Sequence, residues 1–192
     1  MSVAHSNPVP GTSCYVPSWV KKNPSRFPRV KIDRHGKDAE VTNTISIFHD
    51  GLVEADSRAF GSLMSHLRDC DQAKTVIMVQ VENEVGILGD SRDRSGFADS
   101  FFYSPVPQEV RDFCPRRSTS QENSLEKVSA LGDSWETFFG HSKETDELFM
   151  AYHFALYVEK VAAVGKKAYN LPMFTNAWLP LRRGHSDVRP LW

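Results

Sequence analysis

The chain has 192 residues, of which 40% are hydrophobic and 24% charged, and its formal net charge is −1. These values are ordinary for one globular domain of moderate size, and they exclude the broad basic field that binds nucleic acid or acidic lipid. No apolar stretch reaches the roughly 18 residues that a membrane helix needs. We therefore expect neither a nucleic acid nor a membrane as partner.

The first residues, MSVAHSNPVP, contain neither the basic region nor the apolar core of a signal peptide. The sequence as written thus predicts a cytoplasmic protein, whereas a preceding segment of a longer protein could carry an export signal. Cys14, Cys70 and Cys114 are widely spaced and fit neither a disulfide framework nor a CxxC metal site. The histidines lack metal-ligand spacing, and GxSxG, GxGxxG and P-loop motifs are absent. We expect no metal and no cofactor.

The sequence of residues 1–80 predicts a loop region followed by a helix and a strand. Residues 1–50 are rich in proline and polar residues and predict loop, with a short helical turn near Trp19. Apolar residues recur at helical spacing from Leu52 to Leu67, which predicts an amphipathic helix. Thr75–Gln80 is apolar on successive residues, so we expect a strand buried on both faces, as in a parallel sheet covered by helices.

The rest of the chain predicts a long connection, a second helix and a second strand. Residues 86–144 contain prolines that block long helices, and short helices are predicted around 124–130 and at Ser134–Phe139. A long helix follows over 145–167, with Thr145 as its N-cap. The last predicted element is a short strand within residues 171–179, LPMFTNAWL.

A strand, a helix and a second apolar strand in this order predict an α/β fold with parallel strands. Both predicted strands run into polar residues at their carboxyl ends. In α/β barrels and open α/β sheets, sites are built at that end of the strands.

The polar residues after the first strand predict acid–base chemistry. Side chains alternate along a strand, so Gln80, Glu82 and Glu84 would share a face, with Asn83 opposite unless the strand end bends. Two carboxylates so close repel each other, which favours a raised pKa in one of them, as a general acid requires. The alternative is a strand end whose polar residues only meet solvent.

The segment VIMVQVENEVG resembles the acid/base segment of the glycoside hydrolase family 35 β-galactosidases and their family 42 relatives. In these enzymes, strand four of a (β/α)₈ barrel ends in Asn-Glu. Residues 15–30 resemble the segment after strand three, and WETFFG (135–140) resembles part of the loop after strand four. Residues 145–179 resemble helix four and strand five. The resemblance implies a partial (β/α)₈, or TIM, barrel from the end of strand three through strand five, with residues 1–12 and 180–192 as irregular tails.

The resemblance implies that Glu84 is the general acid/base and that Asn83 contacts the sugar 2-hydroxyl. It gives Glu82 and Gln80 supporting positions, and the family usually has Tyr where this chain has Val85. We expect Asn176 and Trp178, at the end of the second strand, to line the sugar pocket, although a packing role suits Trp178 equally well. Trp135 is expected to be part of the loop core.

A retaining glycosidase also needs a nucleophilic carboxylate about 5–5.5 Å from the acid. In the resembled family this is a Glu after strand seven, and no residue here matches it. We therefore expect a carbohydrate-metabolism glycosidase fragment, acting on β-galactosides or related sugars, that is inactive in isolation. Open strand edges would favour self-association. The alternatives are a non-catalytic carbohydrate-binding or vestigial barrel, and an unrelated α/β interaction domain.

Overall fold

The computed structural model describes residues 16–33, 39–114 and 133–177. These ranges contain six helices and two small sheets, one antiparallel and one parallel. The elements in chain order are α1 (Ser18–Lys21), β1 (Arg29–Ile32), β2 (Glu40–Ile45), α2 (Asp50–Cys70), β3 (Val79–Gln80), α3 (Gly96–Phe102), α4 (Gln108–Phe113), α5 (Trp135–Phe139), α6 (Lys143–Ala168) and β4 (Met173–Phe174). The mixed α/β class expected from the sequence is confirmed at this level.

The long helices α2 and α6 pack together and contribute much of the main core. On α2 the apolar residues recur every fourth position, so that Leu52, Phe60 and Met64 lie in one row. Gly165 of α6 lets the helices approach closely, because a Cβ there would lie 2.2 Å from Cε1 of Phe60. None of the helices in the described ranges combines the length and apolarity that a membrane crossing requires.

Helix α6 begins earlier than the sequence suggested, so the prediction of Thr145 as its N-cap is wrong. Ser142 is the cap, and its Oγ accepts the amide of Thr145 at 3.1 Å. The Thr145 hydroxyl instead donates to the carbonyl of Gly140 at 2.7 Å. Ser and Thr are both good N-caps. Here Ser142 caps the helix, and Thr145 stabilises the preceding turn through its hydrogen bond to Gly140.

Strands β3 and β4 are parallel, as expected, with Val79 paired to Met173 and Gln80 to Phe174. Both are shorter than predicted. The face that carries Val79, Val81 and Met173 packs against the main core. On the other face Phe174 is 46% exposed, and Met78, just before the strand, is 51% exposed. The expectation that the strand is covered on both faces is therefore wrong for the described residues, because the side chains on this second face are exposed.

The short helical turn predicted near Trp19 is confirmed as α1, but the loop prediction for the rest of residues 1–50 is wrong at 29–32 and 40–45, which form strands. β1 and β2 pair antiparallel, with Arg29 opposite Ile45 and Lys31 opposite Val41. The strand β2 has the sequence EVTNTI, in which Val, Thr and Ile are strand formers. Three of its six side chains are exposed, two are half-buried and one is buried, so the sequence lacks the apolar alternation that marks a half-buried strand.

Residues 86–144 contain more helix than predicted. α3 and α4 follow Ser95 and Pro107, respectively, and the predicted helix at Ser134–Phe139 is confirmed as α5. The predicted helix at 124–130 lies outside the described residues. These helices pack on α6 around a second core, whose largest side chains are Phe48, Phe102, Trp135 and Phe149. Trp135 is only 1% exposed, which confirms its expected place in the loop core.

Candidate functional site at the ends of the parallel strands

Parallel pairing brings the carboxyl ends of β3 and β4 side by side. The amide of Val81 donates to the carbonyl of Phe174 at 2.9 Å, and that of Val85 donates to the carbonyl of Asn176 at 3.2 Å. The hydroxyl of Thr175 donates to the carbonyl of Glu82 at 3.0 Å. Two polar segments that are distant in sequence thus become one surface.

A network of side-chain amides joins the two segments. Nε2 of Gln80 lies 2.8 Å from Oδ1 of Asn176 and 2.9 Å from Oδ1 of Asn83. It also lies 3.0 Å from the carbonyl oxygen of Glu82, so its two hydrogens serve three acceptors. Three of the residues singled out from the sequence, Gln80, Asn83 and Asn176, are therefore brought together.

Glu84 is held at this network by its backbone. Its amide donates to Oδ1 of Asn176 at 2.8 Å, and its φ of +51° lies in the left-handed region. That region is uncommon for residues other than glycine and costs roughly 1–2 kcal/mol. Strained backbone conformations cluster at functional sites, so the conformation at position 84 favours Glu84 as a candidate functional residue. Its side chain is exposed to solvent.

The chain bends after β3, and the two carboxylates consequently have different surroundings. Glu82 is 3% exposed, whereas Asn83 and Glu84 are both exposed. The Gln80 amide reaches Asn83 instead of lying opposite it. The expectation that Gln80, Glu82 and Glu84 share one strand face is therefore replaced by a turn that separates the acids.

Tyr157 is buried close to the buried carboxylate of Glu82, and the sequence interpretation did not include this tyrosine. The hydroxyl of Tyr157, on α6, donates to Oδ2 of Asp56, on α2, and both residues are at most 4% exposed. The pKa of Tyr157 is raised well above 10 by burial, then by the negative charges of Asp56 and Glu82 and the hydrogen bond to Asp56. Asp56 occupies the same helical row as Leu52 and Phe60. In the sequence, a carboxylate within this apolar row was the signal that could have indicated a buried polar pair.

The loop that follows Glu84 is fixed by ion pairs. Nη2 of Arg94 lies 2.8 Å from Oδ2 of Asp146, at the start of α6, and its Nε lies 2.9 Å from Oδ2 of Asp90. Arg92, 4% exposed, lies 3.1 Å from the other oxygen of Asp146. Burial opposes ionisation of Asp90, but the hydrogen bonds and charge of Arg94 still lower its pKa below the usual value. These pairs connect residues 90–94 to the start of α6.

The loop is also attached to β1. Oδ1 of Asp93 accepts the amide of Lys31 at 3.1 Å, and the amide of Arg94 donates to the carbonyl of Lys31 at 2.8 Å. Asp93 is fully buried. The β1–β2 sheet and the strand-end site therefore share one supporting loop, residues 90–95.

Trp178 falls beyond the described residues, so its expected place in the pocket stays a prediction. A shallow groove of about 620 Å³ is lined by α2 and α6 residues, among them Arg58, Val164 and Lys167, and by none of the strand-end residues.

The described residues include no group of three or more His, Cys, Asp or Glu side chains that could hold a metal ion. Comparison of the sequence with protein-family models and with curated proteins finds no match. The chemistry available at the strand ends is therefore that of one exposed carboxylate beside carboxamides. Such groups can hydrogen-bond to hydroxyls and transfer a proton.

Proposed function

We propose that this chain is part of a retaining glycoside hydrolase of the β-galactosidase type, with Glu84 as the general acid/base. One observation carries the proposal: Asn176 joins the ends of β3 and β4 by accepting hydrogen bonds from both Gln80 and the Glu84 amide. An acid that must protonate a glycosidic oxygen has to be held in place, and this network holds it by the backbone.

In the proposed reaction Glu84 protonates the departing oxygen and then removes a proton from water. Asn83, whose Oδ1 accepts a hydrogen bond from Gln80, keeps its NH₂ group available for a sugar hydroxyl. Asn176 and Gln80 position these two residues, and Glu82 supports the turn from inside. The retaining mechanism requires a second carboxylate as nucleophile, and the proposal assigns none to the described residues. The proposed barrel extends the parallel pair β3–β4 by further strands.

The exposure of Glu84 favours a second candidate, a non-catalytic carbohydrate-binding protein. General acids in glycosidases typically lie against an apolar wall that disfavours the ionised form. The Glu84 side chain instead faces solvent in the described part of the chain. A binding protein needs only the carboxamides and hydroxyl-directed hydrogen bonds.

A titration with two sugar probes separates the candidates. Isothermal calorimetry would compare galactose with a galactose-configured iminosugar, whose protonated ring nitrogen mimics the charge of the transition state. For an acid/base site we expect the iminosugar to bind more tightly, and Glu84→Gln to weaken it about tenfold or more through loss of a charged hydrogen bond. Glu159→Gln, an exposed carboxylate on α6, is the matched control.

The remaining outcomes are equally informative. Equal binding of both probes, unaffected by Glu84→Gln and weakened by Asn83→Ala, supports the carbohydrate-binding alternative. If neither probe binds, both candidates are contradicted. The remaining interpretation is then a strand end whose polar residues only meet solvent. The isolated chain is expected not to hydrolyse an aryl β-galactoside; turnover that Glu84→Gln abolishes would overturn that expectation.

A further inference from the structure

Glu82 is the buried member of the strand-end turn. It is almost fully buried, whereas the next two residues, Asn83 and Glu84, are exposed. The carbonyl of Glu82 accepts hydrogen bonds from Nε2 of Gln80 and from the hydroxyl of Thr175, each at 3.0 Å. The backbone of Glu82 is therefore fixed to both strand ends, and its buried side chain lies directly before the turn that carries Glu84.

A buried hydrogen bond between the two long helices lies close to Glu82. The Tyr157 hydroxyl, on α6, donates to Oδ2 of Asp56, on α2, and both residues are buried. Val81, the residue before Glu82, packs in the same core cluster as Tyr157. The pKa of Tyr157 is raised first by burial and then by the negative charges of Asp56 and Glu82. Two buried carboxylates thus lie within electrostatic range of one hydroxyl group.

The hydroxyl hydrogen has an electrostatic effect on this arrangement. Buried carboxylates are costly unless hydrogen bonds or opposite charges compensate them, and two that lie close together also repel. The hydrogen that Tyr157 directs at Asp56 offsets part of this repulsion. Without it, the stronger negative field would favour movement of Glu82 toward solvent. Such a movement would disturb the turn two residues later, where the hydrogen bond to Asn176 holds Glu84 at a φ of +51°.

We propose that Tyr157 and Asp56 are positioning residues for the strand-end turn, acting through the buried Glu82. Their hydrogen bond keeps Glu82 inside the protein, and Glu82 keeps Asn83 and Glu84 in place at the surface. The packing of the helix pair is thereby coupled to the strand-end site. The positioning is independent of sugar chemistry, whereas its consequence for acid–base chemistry rests on the function proposed for Glu84.

Amide hydrogen exchange, followed by NMR on the full chain, tests the positioning in Tyr157→Phe. This change removes the hydroxyl and keeps the ring. The reporter is the Glu84 amide, which donates to Asn176, and the reference is the amide of the fully buried Ser46 beside the β1–β2 sheet. We expect the Glu84 amide to exchange about fivefold faster relative to that of Ser46. Taking the ratio separates a local opening of the turn from a global loss of stability.

A double variant and a control distinguish positioning from packing. In Tyr157→Phe/Asp56→Asn the charge that the hydroxyl offsets is gone, so the exchange ratio should return to within about twofold of the original. A hydroxyl with only a packing role would instead give losses that add. Tyr152→Phe is the matched control, because it removes another tyrosine–carboxylate hydrogen bond of α6, to Glu109 at 2.6 Å. It should leave the ratio unchanged.

Three results would overturn the proposal. They are an unchanged ratio in Tyr157→Phe, an equal increase in Tyr152→Phe, and a double variant that does not recover. If circular dichroism shows that Tyr157→Phe does not fold, Asp56→Asn alone decides. It removes the repulsion with the hydroxyl in place and should slow the Glu84 amide about twofold relative to Ser46; faster exchange would contradict the proposal.

Binding of the galactose-configured iminosugar tests the consequence for the site. We expect Tyr157→Phe to weaken it about fivefold and the double variant to restore it. If the exchange ratios change as expected but the iminosugar does not bind even the unsubstituted protein, the function proposed for Glu84 is wrong and the positioning stands.

Discussion

His153 makes the stability of this protein depend on pH in a direction that can be worked out from its surroundings. Its ring lies among aromatic side chains, with centroids 4.6 Å from Phe149 and 4.9 Å from Phe48. Burial there, reinforced by the positive charge of Lys160, lowers the pKa of His153 from 6.5 to about 4. The folded protein thus holds this imidazole neutral under conditions in which the unfolded chain would protonate it.

The sign follows from proton linkage. A depressed histidine pKa means that the unfolded state binds the proton more readily, so the free energy of unfolding falls as the pH decreases from about 6.5 to about 4. At 1.36 kcal/mol per pKa unit the loss at pH 4.5 is about 2.5 kcal/mol, and partial solvent screening of the ring reduces it to about 2 kcal/mol. Below pH 4 the loss is complete and levels off.

Urea unfolding at pH 7 and pH 4.5 measures this effect when the protein is compared with His153→Phe. The difference between the two proteins isolates the histidine, because carboxylates such as Asp90, whose pKa is lowered, contribute equally to both. We expect the pH-dependent loss to be about 2 kcal/mol smaller in His153→Phe. His66→Phe, at an exposed position on α2, should keep the full dependence. Identical pH profiles for His153→Phe and the unsubstituted protein would refute the reasoning.

Three further substitutions test the packing and the strand-end geometry. Gly165→Ala should destabilise the protein by about 1–2 kcal/mol in urea unfolding because the new methyl group meets Phe60; Gly96→Ala, where no atom lies within 4 Å, is the control and should not. Glu84→Gly should be about 1 kcal/mol more stable than Glu84→Ala, since glycine adopts a positive φ without strain; the reverse order would disprove a left-handed residue 84. Asn176→Ala should cost about 1 kcal/mol and Asn176→Asp less, because aspartate keeps the oxygen that accepts from the strand end; equal losses would contradict that role.

The long helices and the parallel pairing were predictable because their signals are periodic or local. The apolar rows of α2 and α6 repeat over many turns. A pattern of that length predicts a helix even where single residues depart from it. The position of the N-cap was not predictable, since Ser142 and Thr145 both suit it and the choice depends on the carbonyl of Gly140. The sheet β1–β2 was missed because only one of the six side chains of β2 is buried, so that strand leaves little trace in hydrophobicity.

The strand-end site was predicted as a set of residues but not as a geometry. Gln80, Asn83 and Asn176 converge because parallel pairing aligns the two strands, which an apolar run followed by polar residues already indicates. The bend after β3 depends on a hydrogen bond between residues far apart in the chain, from the Glu84 amide to Asn176. A rule based on alternating side chains cannot anticipate such a bond, and it therefore misplaced Glu82.

During synthesis, the turn after β3 cannot form its native hydrogen bonds until a distant segment of the chain has been made. Glu82 and Thr175, which meet across β3 and β4, are 93 residues apart in sequence. At 5–20 residues per second, a ribosome needs on the order of 5 to 20 s to deliver the second after the first. Throughout that interval the apolar run TVIMVQV has emerged without its native neighbour, which makes it a natural binding stretch for a chaperone that holds nascent chains.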